Sequence, residues 1–210
     1  MKQILLIDDH EVVRDGVKRI FGELGRNAEF GEASTPSQAL QLAGVKNWDI
    51  AVLDISLGDL SGLDLLRELK LLQPRMRVLV FSIHSEPEYV RRALKAGAAG
   101  YVTKDTARAE IARAINTVLD GGRYLNPAIA EQLIFDRRND GEKEPQESLS
   151  NRELEVMILL AKGHSVGDIA TLLNLSSKTI STYRARILDK MGMSSNADLT
   201  RYAVRNKLLD

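Results

Sequence analysis

The sequence predicts an α/β chain: a doubly wound five-stranded parallel sheet, joined to a second, smaller all-α domain. Three observations carry this. Short apolar runs alternate strictly with amphipathic stretches through the first 120 residues, as in βα units that feed a parallel sheet. Residues 136–147 read DRRNDGEKEPQE, without one aliphatic or aromatic side chain, so they cannot bury a core and mark a linker. Beyond them only helical periodicities remain. The domains are therefore placed at 1–122, a short helix plus charged linker at 123–147, and 148–210.

Element by element, strands are expected at 3–7, 28–32, 50–53, 78–81 and 100–102. Helices are expected between and after them at 11–24, 36–44, 62–73, 86–96 and 107–119, each closed by Gly or followed by Pro or a turn residue. A further short helix at 127–135 opens on Pro127, a residue suited to the first helical turn. In the last domain, Ser150 and Glu153 stand at capping-box spacing before an apolar stripe of Leu154, Met157, Ile158 and Ala161. A second helix begins near Ser165 and a third spans 177–191, which together make a helix-turn-helix.

Composition narrows the function classes. With 210 residues, 44% hydrophobic and 28% charged, the chain suits one large or two small soluble cores. There is no Cys, which excludes disulfide scaffolds, thiolate metal sites and thiol redox chemistry. The apolar run Ile4–Ile7 meets Asp8 and Asp9 at once, too soon for a signal peptide or membrane span, so a cytoplasmic protein without membrane contact is expected. Formal net charge is zero, yet residues 148–210 hold nine Lys and Arg against six Asp and Glu, while the remainder holds 20 against 23. A basic small module on an acidic larger one suits nucleic-acid binding at the C-terminal end.

In a doubly wound sheet, ligands sit at the carboxyl ends of the strands. There the sequence places Asp8 and Asp9 after the first strand, Asp54 at the end of the third, Ser82 after the fourth and Lys104 after the fifth. Carboxylates crowded at one edge repel one another and call for a hard divalent cation, for which Mg2+ with oxygen ligands is the usual choice. A Lys in that cluster supplies a cation for an incoming phosphate. The chemistry allowed is attack by a carboxylate on a phosphoryl donor, with Asp54 as the natural nucleophile.

On the third helix of the last domain, Ile180, Tyr183, Ile187, Leu188 and Met191 cluster on one side. The other side is small, polar and cationic. Ser181, Thr182 and Ala185 are candidates for base contact, while Lys178, Thr179, Arg184, Arg186 and Lys190 are placed to meet phosphates.

The runs ILLIDDHEVVRDG, VLDISLGDLSGLDLL and VLVFSIHSEPEYVRRALKAGAAGYVTKD resemble the receiver domain of response regulators, a flavodoxin-like fold. LSNRELEV, DIATLLNLSSKTISTYRARILDKMGM and SSNADLTRYAVRNKLL resemble the LuxR-type helix-turn-helix, so the whole chain resembles a response regulator of the NarL type. The resemblance implies a DNA-binding transcriptional regulator of a two-component system, not an enzyme. Asp54 would accept a phosphoryl group from a sensor histidine kinase. Asp9, Asp54 and the backbone carbonyl of Ser56 would bind Mg2+, with Asp8 holding it through water. Lys104 would pair with the phosphoryl group, Ser82 would move to it, and Tyr101 would repack as the switch. Phosphorylation would release the DNA-binding domain and favour a homodimer on paired half-sites of double-stranded DNA, with the last helix, about 196–206, pairing two subunits. Two departures stand out: Gly58 occupies a position usually Pro, and Tyr183, which the resemblance places among the DNA-contact residues as a phosphate-reaching side chain, occupies one that is often His.

Two other classes compete. A metal-dependent phosphohydrolase working through an aspartyl phosphate usually carries a second carboxylate two residues after its nucleophile, where this chain has Ser56. A binding module that has lost phosphorylation would not need the acids, Ser82 and Lys104, all of which are present.

Overall fold

The computed structural model describes residues 1–25, 27–57, 61–136, 145–206 and 208–209. They form two compact units, Met1–Ser85 with Tyr89–Leu133, and Ile134–Asp210 with Glu86–Glu88.

In the first unit, β1 (Lys2–Ile7), β2 (Ala28–Ala33), β3 (Ile50–Leu53), β4 (Arg77–Ser82) and β5 (Gly100–Thr103) alternate with α1 (Glu11–Glu23), α2 (Pro36–Val45), α3 (Gly62–Leu72), α4 (Pro87–Lys95) and α5 (Arg108–Leu119). All strand pairs are parallel, in the order β2-β1-β3-β4-β5-β6, where β6 is Tyr124–Leu125. The order reverses between β2-β1 and β1-β3, which makes the carboxyl ends of β1 and β3 the switch point of the sheet.

The sixth strand corrects the expected count of five. It pairs Tyr124 with Gly100 and Tyr101 with Leu125, and two residues are too few for an alternation to be read. What holds it is tertiary. Tyr124 Oη donates to Glu110 at 2.8 Å, and burial together with that bond pushes the phenol up to about 12.

Because successive strand residues face opposite sides, each strand serves two helical layers. Ile4, Leu6, Ile50, Val52, Leu79, Phe81 and Val102 share one core with Val17, Ile20 and Phe21 of α1 and Ile111, Ile115 and Val118 of α5. The alternate residues Leu5, Ile7, Leu53, Val80 and Tyr101 are equally buried toward the other layer, where α2 and α3 pack together. Strands covered on both faces explain why the sequence shows them as continuous apolar runs.

One glycine controls the loop that follows β3. A Cβ at Gly62 would lie 2.3 Å from Ile55 Cα and 2.6 Å from its carbonyl oxygen, and Gly62 N–H donates to that same oxygen. The start of α3 thus rests directly on backbone next to Asp54. Gly62→Ala must displace that backbone, and a loss of about 2 kcal/mol is expected in chemical denaturation.

After α6 (Pro127–Asp136), residues 137–144 of the expected linker lie outside the described residues. Pro145–Ser148, whose first three residues composition assigns to the linker's end, is a short 3-10 helix in which Gln146 is buried and accepts a hydrogen bond from Tyr202 Oη. A polar side chain buried through a distant partner leaves no mark in hydropathy.

The second unit holds α7 (Asn151–Ala161), α8 (Val166–Leu172), α9 (Ser177–Met191) and α10 (Asn196–Arg205). Both bonds of the Ser150/Glu153 capping box form, a second box joins Ser165 and Asp168 at the start of α8, and Ser176 caps α9. The turn between α8 and α9 places Asn174 in the left-handed region at φ 52, which Asn tolerates better than most residues. Gly192 ends α9 in the same region, at φ 63. Arg152 Nη1 bonds Glu155 at 2.6 Å and its Nη2 reaches the Leu173 carbonyl at 3.2 Å, pinning α7 to the end of α8.

Candidate functional site: an acidic sheet edge and a polar helix face

At the carboxyl edge of the sheet, Asp8 follows β1, Asp54 follows β3, Ser82 ends β4 and Lys104 follows β5. These four strands are neighbours in that order, so parallel pairing in register brings the four residues to one edge of the sheet. Lys104 Nζ lies 2.6 Å from Asp54 Oδ2 and 2.7 Å from Asp8 Oδ2. Both carboxylates are almost wholly buried. Burial pulls the ammonium of Lys104 down, but the charge of Asp54 and the bonds to Asp54 and Asp8 outweigh it and hold the group above its usual 10.5.

The other Asp54 oxygen, Oδ1, accepts the Ser56 N–H at 2.9 Å. The Ser82 carbonyl accepts the Lys104 N–H at 2.7 Å, and Ser82 Oγ accepts the His84 N–H at 3.2 Å. Tyr101, fully buried, donates its hydroxyl to the His84 carbonyl at 2.7 Å. Ser82 and Tyr101 are therefore joined through the backbone of a single residue.

On α9, Ile180, Ile187 and Met191 are buried and Tyr183 and Leu188 half-buried, whereas Lys178, Ser181, Thr182, Ala185 and Arg186 are exposed. The Ser181 and Thr182 hydroxyls each donate to the carbonyl four residues earlier, which leaves their oxygen lone pairs toward solvent.

Two family descriptions match the chain. "Response regulator receiver domain" covers residues 4–116, and "Bacterial regulatory proteins, luxR family" covers 147–203. The chain is a response regulator. It combines a receiver with a LuxR-type DNA-binding domain, the make-up of a DNA-binding transcriptional regulator of two-component systems. Among curated relatives, it is 35% identical to the response regulator GacA of Pseudomonas aeruginosa, covering 100% of this chain and 99% of GacA. It is 34% identical to the response regulator UvrY of Escherichia coli, over 99% of this chain and 96% of UvrY. Among solved structures, a LuxR-family two-component response regulator from Aurantimonas sp. SI85-9A1 shares 33% identity with a TM-score of 0.60, over 65% of this chain and 98% of that one. RcsB from Salmonella enterica serovar Typhimurium, solved bound to a promoter in the presence of phosphomimetic BeF3-, has a TM-score of 0.62 at 22% identity, over 96% of this chain and 97% of that one, a likeness of fold alone.

Receiver domains bind Mg2+ at an acidic pocket, and the residues of this regulator fit such an ion. Asp8, Asp9 and Asp54 against Lys104 leave two negative charges. Asp8 Oδ2 and Asp54 Oδ2 share the single ammonium of Lys104, at 2.7 and 2.6 Å, so this buried pair of carboxylates keeps one uncompensated negative charge.

The structure brings Asp8, Asp54 and Lys104 into contact, and Ser82 sits at the neighbouring strand end, its carbonyl bonded to the Lys104 N–H. Asp9 is exposed and turns toward His10, whose Nδ1 lies 2.7 Å from Asp9 Oδ1 and 3.3 Å from Asp8 Oδ1. Sequence reasoning passed over His10, although its adjacency to the two acids was the available signal. Gly58 lies outside the described residues. Two cations of α9 are occupied within the domain: Arg184 Nε bonds Asn196 Oδ1 at 2.7 Å, and Lys190 Nζ bonds Glu153 Oε2 at 2.6 Å.

Proposed function

We propose that the regulator is switched by transfer of a phosphoryl group from a sensor histidine kinase to Asp54. The observation that carries this reading is Lys104 Nζ held between Asp54 and Asp8 at 2.6 and 2.7 Å. A carboxylate oxygen of Asp54 forms the new O–P bond as the P–N bond of the donor phosphohistidine breaks, and the donor imidazole leaves with the electron pair. Asp9, Asp54 and the Ser56 carbonyl, with Asp8 through water, would hold Mg2+, which when bound offsets charge on the phosphoryl oxygens. Lys104 meets one of those oxygens as a point charge. Ser82 gives up the His84 N–H to donate its hydroxyl to another. That release loosens the His84 backbone on which the Tyr101 hydroxyl rests, so Tyr101 repacks and the receiver face changes. Incubating the protein with an acyl phosphate and Mg2+ tests the first step: one acid-stable, base-labile phosphoryl group per chain supports it, and no incorporation removes it.

Phosphorylation then frees the DNA-binding domain and favours dimers through α10, where Val204 is exposed. RcsB has been solved as dimers on DNA. In this regulator, α9 enters the major groove. Ser181, Thr182 and Ala185 meet base edges, and Lys178, Thr179, Tyr183 and Arg186 meet phosphates. Arg184 and Lys190 reach phosphate only by giving up Asn196 and Glu153, so they count for less than their charge suggests. Arg186→Ala is expected to lower the slope of log affinity against log salt by about 1 on every DNA sequence, read by fluorescence anisotropy. Among the described residues no helix is long and apolar enough to cross a membrane, and a cytoplasmic site of action fits the kinase and DNA partners.

A further inference from the structure

We infer that the groove between α1 and α5 is a binding site for a small organic acid, an apolar chain or ring that carries one carboxylate.

The groove is opened by a gap in a helix. Val13, Gly16, Val17 and Ile20 stand at i, i+3, i+4 and i+7 on the face that α1 turns toward α5, and position 16 contributes no side chain to it. From the other side come Arg108 and Ile111 of α5, and Phe81 of β4 completes the apolar lining. The space between them is about 350 Å3, within the range of small-molecule sites. Nothing in the packing calls for the glycine. Its φ is not positive, and a Cβ at Gly16 would meet no atom within 4 Å, whereas Gly inside a helix is destabilising relative to Ala.

Charge selects the ligand. Val17, Ile20, Phe81 and Ile111 are buried, and the charged residues that line the groove are Arg19, Lys104 and Arg108, with no acid among them. This holds although residues 1–147 carry more acids than bases, 23 against 20. Lys104 gives its ammonium to Asp54 and Asp8, so it offers the groove its aliphatic stem. The carboxylate is therefore met by the two arginines. Arg19 makes no ion pair among the described residues, and Arg108 pairs with Glu23 at 2.7 Å where both side chains are more than half exposed, a contact that an incoming carboxylate replaces at little cost. A cation finds no partner here, and an inorganic anion would leave the apolar walls uncovered.

The test follows isotope-labelled full-length protein by NMR at low salt while octanoate, octanol, octylammonium and acetate are titrated in turn. Expected are saturable shifts at Val13, Gly16, Ile20 and Ile111 with octanoate, binding of octanol weaker by about five-fold, and no saturation with octylammonium or acetate. Two variants locate the ligand. Gly16→Leu fills the gap with a better helix former, so it should keep or raise the melting temperature while abolishing octanoate binding. Arg19→Gln combined with Arg108→Gln should leave octanol unaffected and reduce octanoate to the same affinity. Absence of a saturable shift with octanoate, or equal affinity for octanoate and octanol in wild type, overturns the inference. Acetate that moves the same residues as far as octanoate does so too, as does octanoate binding that survives Gly16→Leu. Shifts of these residues with protein concentration alone assign the groove to a second copy of this chain and overturn the ligand site.

Discussion

Asp54→Asn is expected to abolish the response of DNA binding to a phosphoryl donor while leaving basal binding unchanged. The substitution keeps the size of the side chain and an oxygen to accept the Ser56 N–H, so the loop after β3 stays in place. It removes the nucleophile and, with it, the charge that Lys104 meets at 2.6 Å. Coupling between distant sites in proteins of this kind typically spans about 5–150-fold in affinity, and all of it should vanish. Anisotropy with labelled operator DNA, selected from random sequence by the phosphorylated protein, reads the effect directly. A variant that still responds to the donor would place the switch at another residue.

Lys104→Met should be the most destabilising change at the sheet edge. Removing the cation leaves the buried carboxylates of Asp8 and Asp54 facing each other without compensation, which costs about 3–5 kcal/mol in comparable buried pairs. Two conditions should shrink the gap to wild type. Saturating Mg2+ supplies replacement charge to the folded state alone and so rescues the variant by linkage. Alkaline pH removes the advantage of the wild type. Lys104 is raised above its usual 10.5 in the folded protein, so its contribution is complete below pH 10.5 and is lost as pH climbs through the higher folded value. Tyr124, pushed up to about 12, titrates in the same region in both proteins, and the difference between their denaturation curves therefore belongs to Lys104. A gap that stays constant with pH and with Mg2+ would show that Lys104 stabilises through its aliphatic stem and not its charge.

Much of this protein is written locally. The alternation of apolar runs with amphipathic stretches determined the layered α/β unit, since burial on both faces of a parallel sheet requires it. Residue types at strand ends determined the reactive edge, because a strand boundary places whatever follows it at the rim. Caps such as Ser150 with Glu153 determined where helices begin, through bonds spanning only three residues. What tertiary structure alone decided involves partners far apart in the chain. The β6 strand exists because Gly100 and Ala99 offer it an edge and Glu110 an anchor, none of which a two-residue run can announce. Arg184 and Lys190 carry charges that a helical wheel assigns to phosphate, yet Asn196 and Glu153 hold them within the domain. Lys104 bridges carboxylates 50 and 96 positions earlier in the chain, and His10 turns its ring onto Asp9, because the packed sheet fixes where each backbone ends while the side chains then settle by charge. Periodicity encodes which face a residue takes; only the folded chain brings together the opposite charges that meet there.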